Sequence, residues 1–197
     1  MAGQLSAEAV GVDFSPEGCA LARVNFEALG VPGRVVCDDY FSFATTSKDR
    51  FDFIMSFGFV EHFAQPGDVL GSMAGLLNEG GIVVATVPNL SGVYGLVQRI
   101  IDRDVFSSHV IVGEQQLRGY ADGIGLDQVE VGYVGGAAGL RLLNFSHVRW
   151  LPQAVSRRAG SVLAEIDWFL ARGLRRFGLM SDQSVTSPYL FLCGVRQ

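Results

Sequence analysis

The chain of 197 residues carries a net charge of −5, and 49% of its residues are hydrophobic against 18% that are charged. This length and composition are typical of one globular domain and exclude a disordered protein. The acidic balance disfavours a general nucleic-acid surface, because such a surface needs clustered lysine and arginine to meet phosphates. We therefore predict a single domain over residues 1–197 with no nucleic-acid partner.

The cysteines and the longest apolar run bear on location. That run, residues 82–87, is far shorter than the roughly 18 residues that a membrane span needs. Cys19, Cys37 and Cys193 lack the paired spacing of a metal motif, and their odd number without a signal peptide is typical of a reducing cytoplasm. We expect a cytoplasmic protein without a membrane partner, in which the cysteines are small buried side chains.

Strand and helix patterns alternate along the chain, which is typical of parallel sheets with helical crossovers. The first strand, residues 9–12, leads into Asp13, and Ser15 then caps a helix that ends at Gly30. Further strands are expected at residues 34–37, 51–56, 82–87, 129–134 and 189–195, and further helices around residues 69–77, 117–124 and 153–178. The pattern predicts an α/β fold with a doubly wound, mostly parallel, Rossmann-like sheet and helices on both faces.

Asp13 stands where a buried strand gives way to a helix, and open α/β sheets bind nucleotides at such junctions. An ionised carboxylate only accepts hydrogen bonds, so it can accept both hydroxyls of a ribose. The alternative is that Asp13 is merely a helix-entry residue. We favour the ribose role, because Asp38 follows one helix and one strand later, where it should face the same nucleoside.

Four segments in this order resemble the class I S-adenosylmethionine-dependent methyltransferases. They are residues 10–15 (VGVDFS), 37–39 (CDD), 51–63 (FDFIMSFGFVEHF) and 77–81 (LNEGG). The third segment is the most specific, because Phe-Asp-x-Ile-x-Ser followed by Glu-His is common in that family and rare elsewhere. The resemblance implies S-adenosylmethionine as the cofactor and methyl transfer to a small-molecule acceptor.

The resemblance also implies roles for individual residues. Asp13 matches the acid that binds the ribose hydroxyls, and Asp38 matches the acceptor from the adenine amino group, with Asp39 as its competitor. Tyr40 would cover the adenine. The residues that would pass beside the methionine half of the cofactor are Ser56, Phe57 and Gly58. For Tyr40 and Phe57, the alternative is a plain core aromatic.

Methyl transfer from a sulfonium is an in-line displacement, so positioning the acceptor supplies most of the acceleration. A hydroxyl acceptor would also need a general base. The candidates are His62, Glu61, His109 and His147. We select His62 because it follows a strand at the edge where substrate is expected; a histidine that packs against or caps the next helix is the alternative. Glu61 more often anchors such a loop by accepting backbone hydrogen bonds. The sequence predicts no metal site.

The chain departs from the family at its amino terminus. The first strand and glycine-rich loop of the family have no counterpart in residues 1–8, which contain only Gly3. The glycines of residues 132–139 lack the Gly-x-Gly core and come in the wrong order, so we expect a turn there. The sequence thus predicts an N-terminally truncated domain or a degenerate relative.

Two alternative functions from other classes stay open. One is a catalytically inactive, methyltransferase-like binding or scaffold domain. The other is a nicotinamide-dependent dehydrogenase, a class that also binds ribose through an acid. Such enzymes need the glycine motif and do not have the segment found here at residues 51–63, so this alternative ranks last.

Residues 153–178 have an amphipathic, basic helical pattern, and we expect a helical insert at about 150–180, before the last strand. The apolar positions are Val155, Val162, Leu163, Ile166, Leu170, Leu174 and Phe177, and the opposing arginines are Arg157, Arg158, Arg172, Arg175 and Arg176. Such a helix can lie on an anionic membrane. We favour packing beside the substrate pocket, with Trp168 and Phe169 as a pocket wall or core contact. No feature of the sequence sets an oligomeric state.

Overall fold

The computed structural model describes residues 7–136, 138–145, 148, 152–176 and 181–197. The chain divides into two compact units, residues 1–49 and 50–197, and each has its own sheet. That the two form a single domain stays a prediction.

The first unit is a parallel two-stranded sheet with two helices. It contains β1 (Ala9–Asp13), α1 (Pro16–Ala28), β2 (Gly33–Cys37) and α2 (Tyr40–Thr46). The Ser15 side chain accepts a hydrogen bond from the Gly18 amide and so caps α1, which has Pro16 in its first turn. Gly30 has a φ of +60°, a left-handed conformation that favours glycine, just after the helix ends.

The second unit is built on a four-stranded sheet in the order β3-β4-β6-β5. Its strands are β3 (Phe51–Phe57), β4 (Leu77–Pro88), β5 (Leu126–Val134) and β6 (Tyr189–Arg196). β3 pairs parallel with β4, whereas β6 runs antiparallel to both of its neighbours, β4 and β5. Three of the four strands therefore share one direction, as the sequence predicted.

Helices and short turns connect these strands. They are a 3-10 turn (Val60–His62), α3 (Pro66–Gly75), α4 (Val93–Ile101), α5 (Arg103–Ser107), α6 (Glu114–Asp122), a second 3-10 turn (Leu140–Leu142) and α7 (Gln153–Arg176). The buried core of this unit includes Leu70, Val83, Leu117 and Leu192, contributed by α3, β4, α6 and β6. On α3, β4 and α6 the buried faces are those that the periodicity marked. On α7 the predicted apolar positions Val162, Ile166 and Leu170 are exposed, so that face is not part of the core.

The boundary between α3 and β4 differs from the prediction. We expected a helix as far as Leu77, but α3 ends at Gly75 and Leu77 already pairs with Phe51 in the sheet. The register then shifts, and Phe53 pairs with Ile82. The extra residues of β4 form this irregular stretch, which the apolar run of residues 82–87 does not reveal.

The expectation that all three cysteines are buried is wrong, and so is one of the two alternatives for Trp168 and Phe169. Cys19 is buried, but Cys37 is exposed and Cys193 is only partly buried. On α7, Trp168 and Phe169 are 57% and 67% exposed, so neither is a core contact. The helix is instead anchored by buried Asp167, whose Oδ1 accepts a hydrogen bond from the Leu140 amide at 2.9 Å.

In the described part of the chain, β1 pairs only with β2, and β3 pairs only with β4. The expected truncation at the amino terminus stays a prediction. Among the described residues, no helix has the length and apolar character needed to cross a membrane.

Candidate cofactor and acceptor sites

Asp13 lies at the carboxyl end of β1 with its side chain exposed. Its Oδ1 accepts a hydrogen bond from the Ser15 amide at 2.8 Å, and no described residue donates to Oδ2. A Cβ placed on Gly18 would lie only 2.4 Å from that Oδ2. The first turn of α1 therefore packs against the Asp13 carboxylate and leaves no room for a side chain at position 18. The Oδ2 atom of Asp13 stays available to a ligand.

Asp38 adjoins Asp13, as the sequence predicted. The Asp38 amide donates to the Asp13 carbonyl at 3.1 Å, and Asp13 pairs with Cys37 in the parallel register of β1 and β2. The Asp38 carboxylate accepts from the Asp39 amide at 2.8 Å and from the Ser42 hydroxyl at 3.1 Å. These two bonds orient the carboxylate, and each oxygen keeps capacity for one more donor.

Asp39 has a different structural role from Asp38. Its Oδ1 accepts from the amides of Phe41 and Ser42, at 2.9 and 3.0 Å, so it is the N-cap of α2. Tyr40 is the first residue of that helix and is half-buried, with its ring edge-on to Phe41 at 5.3 Å. This capping role accounts for an acidic residue at position 39 without requiring that Asp39 bind a ligand.

Replacing Asp39 with Ala is expected to lower the free energy of unfolding by about 0.5–2 kcal/mol, because two backbone donors of α2 lose their acceptor. Asn, which caps nearly as well, should restore most of that loss. Urea unfolding of the three proteins measures the difference. Equal stability of the Ala and Asn variants would contradict the capping role.

The residues at the carboxyl end of β3 belong to the second unit. Ser56 is 6% exposed, and its Oγ has no hydrogen-bond partner in the described part of the chain. Phe57 is 63% exposed, so its ring is not a core aromatic. Gly58 has a φ of +64°, and its amide donates to the Thr86 carbonyl at 3.0 Å. This turn therefore favours glycine and leads directly into the 3-10 turn.

Glu61 is almost fully buried within that turn. It is 2% exposed, and its Oε2 has no partner among the described residues. Burial raises the pKa of this carboxyl from its usual value of 4.5 to about 7. The loop is tied down by the Glu61 backbone carbonyl, which accepts from the Val110 amide at 2.7 Å.

His62 and His109 lie against each other, with ring centroids 4.5 Å apart. Partial desolvation, and then the neighbouring His109, lower the pKa of His62, although its side chain is exposed at the surface. His109 Nδ1 lies 2.7 Å from the Val105 carbonyl. Since a carbonyl only accepts, Nδ1 carries the proton and Nε2 presents its lone pair when the ring is neutral. His147 lies outside the described residues.

Sequence reasoning named Glu61, His62 and His109 separately but did not place them together. One potential ligand atom from each residue lies within 4.8 Å of the others. The sequence gives little indication of this cluster, because His109 lies far along the chain from the Glu61–His62 dipeptide. The hydrogen bond from the Val110 amide to the Glu61 carbonyl and the contact between the two histidine rings join these segments in the fold.

Comparison with known proteins supplies the family. A sequence profile described as a methyltransferase domain matches residues 1–131. The chain belongs to the methyltransferase domain family. The predicted class I S-adenosylmethionine-dependent methyltransferase, its Rossmann-like fold and its S-adenosylmethionine cofactor are thereby confirmed. No curated protein sequence matches the chain significantly.

Solved structures of methyltransferases have the same fold at low sequence identity. A SAM-dependent methyltransferase from Archaeoglobus fulgidus has a TM-score of 0.62 at 16% identity, covering 99% of this chain and 79% of its own. The cyclopropane synthase MmaA2 from Mycobacterium tuberculosis has a TM-score of 0.62 at 13% identity, and the match covers 98% of this chain and 72% of the synthase. A phosphoethanolamine N-methyltransferase from Haemonchus contortus, crystallised with S-adenosylhomocysteine and phosphomonomethylethanolamine, has a TM-score of 0.58 at 16% identity, covering 95% and 43%.

Each unit of this methyltransferase offers a polar group that a polar ligand could use. Asp13 holds an acceptor oxygen against the first turn of α1, where any Cβ at position 18 would displace it. Ser56 keeps a buried hydroxyl without a partner in the described part of the chain. A buried polar atom of this kind normally has a partner, which a polar ligand can provide.

Proposed function

We propose that this methyltransferase transfers the methyl group of S-adenosylmethionine to a small-molecule acceptor. The observation that carries the proposal is the pair of carboxylates, Asp13 and Asp38, at the adjoining ends of two parallel strands. Carboxyl ends of parallel strands are the edge where open α/β sheets bind nucleosides. When bound, the cofactor supplies an electrophilic methyl group on a sulfonium.

In the first unit, we assign the ribose hydroxyls to Asp13 and the adenine amino group to Asp38. Asp38 is chosen because it matches the family acid at this position, whereas the capping of α2 gives Asp39 a structural role of its own. Asp39 remains a predicted cofactor-binding residue only because it follows Asp38 directly in the sequence. Tyr40, half-buried at the start of α2, is assigned to the face of the adenine, where an aromatic ring excludes water.

In the second unit, we assign Ser56, Phe57 and Gly58 to the methionine half of the cofactor. The unpartnered Ser56 hydroxyl and the exposed Phe57 ring support this assignment. His62 is the proposed general base for a hydroxyl acceptor. Its lowered pKa favours the neutral ring, which is the form that accepts a proton.

The acceptor and the location are the least constrained parts of the proposal. A small molecule is favoured over a nucleic acid by the net charge of −5. The relative from Haemonchus contortus, which was crystallised with phosphomonomethylethanolamine, makes a small amine one class to test. A cytoplasmic location, with three free cysteines, belongs to the same proposal.

The proposal is tested by two measurements on the full chain. Calorimetric titration with S-adenosylmethionine should give saturable binding at one site, and isotope-labelled cofactor should then transfer its methyl group to a component of a small-molecule extract. The Asp13→Asn variant serves as the control for both. Saturable binding with no transfer to any extract would favour the inactive binding domain, whereas label found only on protein or nucleic acid would exclude a small-molecule acceptor.

Replacing Gly18 with Ala tests the cofactor geometry without removing a charge. The new Cβ would lie 2.4 Å from Asp13 Oδ2, so the carboxylate must move. We expect the affinity for S-adenosylmethionine to fall about fivefold, the equivalent of one hydrogen bond of ~1 kcal/mol.

The matched control is Gly119→Ala, a helical glycine of α6 with nothing within 4 Å of the added Cβ. This variant should bind the cofactor normally and unfold at a slightly higher temperature, because Ala favours a helix over Gly by about 0.5–1 kcal/mol. Equal cofactor affinities of the two Ala variants would contradict the placement of Asp13.

A further inference from the structure

We propose that Glu61, His62 and His109 form a binding site for a divalent transition-metal ion, such as Zn²⁺. The site lies wholly within the second unit and does not depend on the assignments to the cofactor. It goes beyond methyl transfer, for which no metal was predicted.

The first support is the distance between the ligand atoms. One carboxylate oxygen and one imidazole nitrogen from each ring lie within 4.8 Å of one another. Zn²⁺ binds such ligands at about 2.0–2.2 Å, which places tetrahedral ligand atoms about 3.3–3.6 Å apart. The His62 side chain is exposed, so its ring can reorient on metal binding without displacing buried side chains.

The second support is Glu61, because its burial is unexplained by the protein alone. The side chain is 2% exposed, and Oε2 has no hydrogen-bond partner in the described part of the chain. Buried carboxyls are normally paired or coordinate a metal ion, since leaving them unpaired is costly. A cation between Glu61 and the two histidines would supply the missing partner.

The third support is the orientation of His109. Its Nδ1 donates to the Val105 carbonyl at 2.7 Å, which leaves Nε2 as the ligand atom. Histidines that bind metals commonly donate their other ring N–H to a carbonyl in this way, which fixes the tautomer and the ring. The Val110 amide, bonded to the Glu61 carbonyl at 2.7 Å, holds the two segments together.

The ligand set favours a transition metal over Mg²⁺ or Ca²⁺. Two imidazoles suit Zn²⁺, Co²⁺, Ni²⁺ or Fe²⁺, whereas Mg²⁺ and Ca²⁺ prefer oxygen ligands. Three protein ligands leave a coordination position open for water or another small ligand. A His62 that binds the metal cannot use the same nitrogen as a general base, so the two roles of His62 are alternatives that the test distinguishes.

The test is calorimetric titration of the chelator-stripped full chain with ZnCl₂, with Co²⁺ absorption as a second probe. We expect one equivalent to bind and a Co²⁺ spectrum without a thiolate charge-transfer band. His62→Ala, at an exposed position, should keep the fold and weaken binding at least about tenfold, since even outer-sphere partners of metal ligands contribute 10–100-fold. Glu61→Gln and His109→Ala should weaken binding similarly.

Two control variants separate this site from other donors. Glu79→Gln removes an exposed carboxylate of β4, and His147→Ala removes the remaining histidine; both should bind Zn²⁺ like the parent protein. Absence of stoichiometric binding, loss in the His147 variant with retention in His62→Ala, or a thiolate band would overturn the proposal. Titration with S-adenosylmethionine alongside reports separately on the cofactor assignments, so the two proposals can fail independently.

Discussion

Replacing Asp13 with Asn is expected to weaken S-adenosylmethionine binding by about 10- to 150-fold. The physical reason is that an ionised carboxylate accepts from both ribose hydroxyls, and hydrogen bonds to a charged partner contribute about 1.5–3 kcal/mol. Asn keeps the size of the side chain but replaces one acceptor oxygen with a donor. Calorimetric titration of the two proteins measures the change.

The fold should survive this substitution, because Asp13 is exposed and lies at the end of β1. The carbonyl oxygen of Asn can still accept from the Ser15 amide, as Asp13 Oδ1 does. Thermal unfolding without the cofactor should therefore be nearly unchanged. An Asn variant that is stable and retains parent affinity would rule out Asp13 as the ribose acceptor.

Replacing Asp38 with Asn should also weaken binding by about 10- to 150-fold, because a charged acceptor of the adenine amino group is lost. The adjacent Asp39→Asn is the matched control, since Asn can still cap α2 and the same charge is removed one residue away. Both variants change the net charge equally, so a general electrostatic effect would weaken binding in both.

The comparison also resolves the competition between the two acids. Retained affinity in Asp39→Asn with reduced affinity in Asp38→Asn would agree with the hydrogen bonds of α2. The reverse result would assign the adenine to Asp39 and contradict our choice.

The strands and the nucleoside acids could be predicted from sequence because their signals are local. Apolar runs that end in Asp13 and Asp38 identify two strands, and the connecting helix carries its own cap at Ser15. Parallel strands joined by one helix place their carboxyl ends together. The contact between the Asp38 amide and the Asp13 carbonyl follows from that connection.

Features that depend on distant parts of the chain could not be predicted in the same way. The pattern of residues 69–77 continues past Gly75, but pairing with Phe51 draws Leu77 into the sheet. On α7, Asp167 is buried against the turn that begins at Leu140, which the amphipathic pattern does not indicate. Tertiary contacts override local periodicity in both cases.

The cluster of Glu61, His62 and His109 shows the same limit for a candidate site. The dipeptide was visible in the sequence, but its partner comes from the segment after α5. The capping of α5 by Asp102 and the bond between Val110 and Glu61 position that segment. Such contacts are set by the folded structure rather than by spacing along the chain.

The central claim is that Asp13 and Asp38 bind the nucleoside of S-adenosylmethionine. A crystal structure of the protein with S-adenosylhomocysteine tests it most directly. We expect both ribose hydroxyls within hydrogen-bond distance of the Asp13 carboxylate and the adenine amino group at Asp38, with the Tyr40 ring against the base. A nucleoside bound elsewhere, with the Asp13 carboxylate making no contact to the ribose, would contradict the account.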